Sequence, residues 1–68
     1  MEVYGPKYEL VAVRKTKAGH FYLLYDTECK VFVYTKRKSG VMVNYEDAGI
    51  NEADAIRGFK NFIADHIV

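Results

Sequence analysis

Residues 31–43 read V-F-V-Y-T-K-R-K-S-G-V-M-V. Valines alternate at 31 and 33, then again at 41 and 43. Between the two runs Lys36, Arg37, Lys38, Ser39 and Gly40 break the apolar pattern and supply turn chemistry. The stretch predicts two strands joined by a basic turn. On the first strand Val31 and Val33 share a face, with Phe32 and Tyr34 opposite. On the second, Val41, Val43 and Tyr45 oppose Met42 and Asn44.

Two further strands precede this hairpin. Residues 7–15, K-Y-E-L-V-A-V-R-K, alternate Leu10 and Ala12 against Val11 and Val13. A turn follows over Thr16, Lys17, Ala18 and Gly19. Residues 20–26, H-F-Y-L-L-Y-D, form the second strand, apolar on both faces. Asp26 heads the next turn, where its carboxylate can bond the backbone ahead of it. The first six residues contain the breaker Gly5-Pro6 and read as an irregular arm.

After residue 46 the pattern changes period. Asn51 is a good helix N-cap, and Glu52 and Asp54 suit the positive end of the helix dipole. Ile56, Phe59, Phe62, Ile63 and Ile67 then recur at spacings of three and four, one apolar stripe on a helix over 51–67. Gly58 inside that helix costs about 1 kcal/mol against Ala, which points to a close approach by a strand. The expected fold is α+β, β-β-β-β-α, in one domain. It comprises an arm over 1–6, a four-stranded antiparallel meander over 7–46, and one C-terminal amphipathic helix. With both faces of several strands apolar, the sheet either curls into a partial barrel or presents its second face to a partner.

Composition bounds the function. The 68 residues are 50% apolar and 28% charged, which fits a small globular domain rather than a disordered chain. No apolar run approaches the roughly 18–20 residues that span a bilayer, and the N-terminus lacks the basic start and apolar block of a signal peptide. The single cysteine, Cys29, allows no internal disulfide, so a cytoplasmic setting is expected.

Net charge is +1, but the meander separates it. The first and third turns lie at one end, gathering Arg14, Lys15, Lys17, Lys36, Arg37 and Lys38. The opposite end collects Asp26, Glu28, Glu46, Asp47, Glu52 and Asp54, with Lys30 against them. A basic end can bind phosphates, although Lys-rich turns also serve simply to keep edges soluble. Exposed aromatics can stack bases or form a protein interface, although tyrosine is also a common half-buried strand residue.

No catalytic site is expected. His20 and Cys29 lie roughly 20–25 Å apart along the second strand, too far for a nucleophile pair. No Cys/His spacing suits a metal, no Gly-rich loop suits a phosphate, and no cofactor is implied.

The turns also carry a resemblance. Asp26-Thr27-Glu28-Cys29-Lys30-Val31, then Gly40-Val41, then Asp47-Ala48-Gly49, resemble a small uncharacterised bacterial and phage-associated family. Its members carry an Asp-x-x-Thr-Gly-Val turn, a Gly-Leu-Thr strand and an Asp-x-Asp-Gly turn. Here Cys29-Lys30 stands for Thr-Gly, Met42 for the Thr and Ala48 for the last Asp. The resemblance covers about a third of the chain and implies no activity.

Two functions are therefore expected to compete. One is a non-catalytic protein-binding module, a homodimeric regulator or inhibitor of the mobile-element type. It would bind a protein partner or a second copy through Tyr22, Phe32, Tyr34 and Met42. The other is a nucleic-acid-binding domain using the six basic residues of the turn end. No membrane contact is expected.

Overall fold

The computed structural model describes residues 7–66. Strands β1 (Tyr8–Thr16), β2 (Gly19–Asp26), β3 (Val31–Lys38) and β4 (Val41–Gly49) precede helix α1 (Glu52–Asp65). The strands form one antiparallel sheet in the order β1-β2-β3-β4. β1 and β4 do not pair, so the sheet is open rather than barrel-like. The arm expected over 1–6, and Ile67 of the apolar stripe, lie outside the described residues.

The third and fourth strands run further than their apolar patterns suggest. Ser39 and Gly40 both adopt positive φ, 55° and 80°, the two-residue turn whose twist matches a hairpin. Lys38 can therefore pair directly with Val41. At the other end of the sheet, Asp26 Oδ1 accepts the backbone N–H groups of Glu28 (2.9 Å) and Cys29 (3.0 Å). Lys30 closes that turn with φ of 59° and donates its N–H to the Asp26 carbonyl at 2.7 Å.

α1 begins as its capping residues dictate: the Asn51 side chain accepts the Asp54 N–H at 3.0 Å. Its buried residues are Ala55, Phe59, Phe62 and Ile63. Ile56, expected in the stripe, is instead 46% exposed. The helix is rotated so that small Ala55 meets the sheet and the larger Ile56 flanks the contact.

The core lies between α1 and the sheet face carrying Phe21, Leu23, Phe32 and Tyr34. Fully burying a side chain such as Phe21 or Leu23 contributes about 1.5–3 kcal/mol. Tyr34 stacks on Phe59 and Phe62, with centroids 5.9 and 5.1 Å apart, and Phe21 meets Phe62 edge-on at 5.9 Å. The Tyr34 hydroxyl donates to the Ala55 carbonyl at 2.7 Å. That hydroxyl occupies the space a side chain at position 58 would need. Gly58 thus fits the close approach expected of it, made by a strand side chain rather than strand backbone.

The opposite sheet face has its own smaller cluster: Tyr22, Leu24 and Val33, with Tyr8 and Val31 packed beside them.

Candidate functional site

Sheet register fixes what the face away from α1 presents. Cross-strand partners share a face, so Tyr8, Leu10, Val13 and Lys15 of β1 align there with Asp26, Leu24, Tyr22 and His20 of β2. Val31, Val33, Thr35 and Arg37 of β3 continue the rows, and Asp47, Tyr45 and Met42 of β4 complete them. Tyr22, Leu24, Val33 and Thr35 are buried in the middle. The margins are open: Leu10 and Val13 are each 44% exposed, Met42 45% and Tyr45 52%. Two apolar margins therefore border a filled centre.

The four interface candidates divide between the two faces. Tyr22 and Met42 lie on the free face. Phe32 and Tyr34 do not: both are buried beneath α1. Met42 was expected to share their face. An irregularity between Lys36 and Arg37 makes Val43 an extra residue of β4, so Asn44 opposes Lys36 while Met42 opposes Arg37. That one-residue insertion moves Met42 to the free face beside Tyr45. Leu10, Val13 and Tyr45 were not among the sequence candidates. Simple alternation set Leu10 opposite Val13 and Tyr45 opposite Met42; the extra residues Val11 in β1 and Val43 in β4 bring each pair onto one face instead.

The basic end is also sorted by the fold. Lys15, His20 and Arg37 form one cross-strand row on the free face. Beside it, Thr16, Lys17, His20, Tyr22, Arg37 and Lys38 line a shallow groove of about 430 Å³ between the first and third turns. The two turns therefore do converge. Arg14 departs from the set because it stands on the helix side, in register with Phe21. Lys36 departs further. It is buried, its ammonium donates to the His66 carbonyl beyond the end of α1, and it lies 5.4 Å from the Phe21 ring centroid. A cation held by a helix C-terminus and an aromatic ring is a structural group rather than a phosphate ligand.

At the opposite end, Asp26 is buried and its carboxyl is held below the ordinary carboxylate value. The backbone N–H bond from Cys29 is the main cause, aided by Glu28 and Lys7 against the cost of burial. Lys7 lies 3.6 Å from Asp26 and 3.7 Å from Glu28, and the Asp26 carboxylate chiefly raises its pKa. Lys7 thus answers Asp26 and Glu28 at this end, and Arg57 pairs with Asp54. Burial, then the nearby Tyr8 hydroxyl, raises the Tyr45 phenol on the free face.

Among the described residues, no group of three or more His, Cys, Asp and Glu side chains could hold a metal ion. No helix among them is long and apolar enough to cross a membrane.

In comparisons with known proteins, no family model, curated protein or solved structure matches this chain.

Proposed function

We propose that this chain is a non-catalytic protein-binding module that docks an apolar, acidic protein surface on its free sheet face. The observation that carries this reading is the half-exposure of Leu10, Val13, Met42 and Tyr45 on the one face that α1 leaves open. Apolar patches with a polar rim are typical of interaction sites. The adjoining row of Lys15, His20 and Arg37 gives that face a basic border, and Lys17 and Lys38 extend it. Such a border speeds encounter with an acidic partner and orients it.

Quantitative capture from the source cell tests the proposal. A partner retained by the native chain should be lost with Met42→Glu or with Lys17→Glu/Lys38→Glu, and kept with Lys60→Glu on exposed α1. Equal capture by all four forms would refute it.

The groove between the two turns favours a second reading, in which Lys17, Arg37 and Lys38, with Lys15 in the adjoining row, bind nucleic-acid phosphates. Binding of generic duplex DNA at about 50 mM salt, weakening steeply as salt rises, would support it. Lack of binding at that salt would dismiss it.

A further inference from the structure

Among the described residues β1 pairs only with β2 and forms an edge of the sheet, and α1 does little to cover it. The helix packs chiefly on β2, β3 and β4. Between β1 and α1 runs a groove of about 400 Å³ lined by Ala12, Val13, Arg14, Ile56, Phe59 and Lys60, among others. A nine-residue edge with no second strand beside it among the described residues is a ready template for another strand.

The register of β1 specifies which strand fits. Thr16 and Gly19 flank a two-residue turn, so they form a hydrogen-bonded pair. Counting back, Arg14 and Ala12 also bond toward β2, while the backbone groups of Lys15 and Val13 point outward. The irregularity between Leu10 and Ala12 makes Val11 an extra residue. Beyond it, the outward positions resume at Leu10 and Tyr8. Outward groups therefore fall at 8, 10, 13 and 15, a spacing symmetric about the midpoint between Val11 and Ala12.

We propose that β1 pairs antiparallel with β1 of a second copy of this chain about that midpoint, joining two sheets edge to edge. In this register every outward position meets another outward position. Leu10 faces Val13, and both are 44% exposed in the single chain. Tyr8 faces Lys15. Glu9 faces Arg14, and both stand on the helix side, in register with Tyr25 and Phe21. Each pair occurs twice, as a two-fold interface requires. The inserted Val11 makes this possible: in a regular strand Glu9 and Arg14 would point to opposite faces. The other edge offers no such match. β4 is interrupted by Val43 and Ala48, and carries Glu46 and Asp47 with no basic residue to answer them.

The pairing does not depend on the protein-partner reading. It would set two free faces side by side in one eight-stranded sheet, doubling whatever surface they offer.

Sedimentation equilibrium of the native chain, Glu9→Arg, Arg14→Glu and the double exchange Glu9→Arg/Arg14→Glu tests the proposal, with far-UV circular dichroism confirming each fold. The native chain should dimerise. Each single exchange sets two like-charged pairs across the interface and should weaken association about tenfold. The double exchange should restore it. A native chain still monomeric at about 1 mM, a dimer indifferent to the single exchanges, or a double exchange as weak as the singles would overturn the proposal. These variants lie on β1 and α1 is untouched, so the outcome is separate from that of Met42→Glu and the lysine exchanges.

Discussion

The hydroxyl of Tyr34 on β3 fills the space beside Gly58 of α1, where a Cβ would overlap it, while donating to the Ala55 carbonyl one turn earlier. One phenol thus fixes how closely helix and sheet approach. Replacing an interior glycine by alanine ordinarily stabilises a helix by about 1 kcal/mol. Here Gly58→Ala is expected to destabilise by about 1–3 kcal/mol, the usual cost of overpacking. Tyr34→Phe alone should cost about 1 kcal/mol for the lost hydrogen bond. In the double variant the overlap is gone, since the next ring atom, Cζ, stands 3.4 Å from the new Cβ. Urea denaturation should show a double variant more stable than the sum of the singles by at least about 1 kcal/mol. Simple additivity would contradict this contact.

Lys36 and Lys38, two residues apart, should behave as different kinds of residue. Lys36 is buried with its ammonium on the His66 carbonyl, whereas Lys38 is exposed at the turn. Lys36→Ala is expected to cost about 1.5–3 kcal/mol, as for a hydrogen bond made by a charged group. Lys38→Ala should stay within about 0.5 kcal/mol. Thermal denaturation of the two variants distinguishes them.

Acid stability should depend on Asp26. Its folded carboxyl lies below the ordinary value of 3.8, so the folded state binds that proton less readily than the unfolded chain. The stabilisation is fully present above the unfolded value and is lost as pH falls through the lower folded value. Asp26→Asn removes this titration. Urea midpoints measured from pH 5 downward should therefore fall less steeply in Asp26→Asn than in the native chain.

Alkaline stability should depend on Tyr34. Burial, then the Glu46 carboxylate, raises its phenol above the ordinary value of 10.0. Above that pH the unfolded chain releases the proton first, so stability declines toward the raised folded value. Tyr34→Phe should show a shallower loss between pH 9 and 11 in the same denaturant series.

The order β-β-β-β-α and the cap at Asn51 were legible in the sequence because each rests on local chemistry: alternation, turn residues and a capping side chain. The fit at Gly58 was legible only as a cost needing a reason. Which face the helix covers was not legible. β2 and β3 are apolar on both sides, so Phe32 and Tyr34 looked as available as Val31 and Val33. Met42 was misplaced because nothing in V-M-V-N-Y marks Val43 as an inserted residue. Lys36 was misplaced because a turn-flanking lysine looks solvent-exposed until a helix end arrives to accept its hydrogen bond. The convergence of Lys15, Lys17, Arg37 and Lys38 followed correctly from strand order alone.

The protein's binding surfaces follow from the assignment of its two sheet faces, and paired thermal melts of Met42→Glu and Phe32→Ala test that assignment most directly. Met42 is 45% exposed on the free face, whereas Phe32 is 7% exposed beneath α1. Met42→Glu is expected to change stability by no more than about 0.5 kcal/mol, as surface substitutions do. Phe32→Ala is expected to cost about 3–5 kcal/mol, as deletion of a core ring does. The reverse pattern, with Met42→Glu unfolding the chain and Phe32→Ala tolerated, would contradict the assignment.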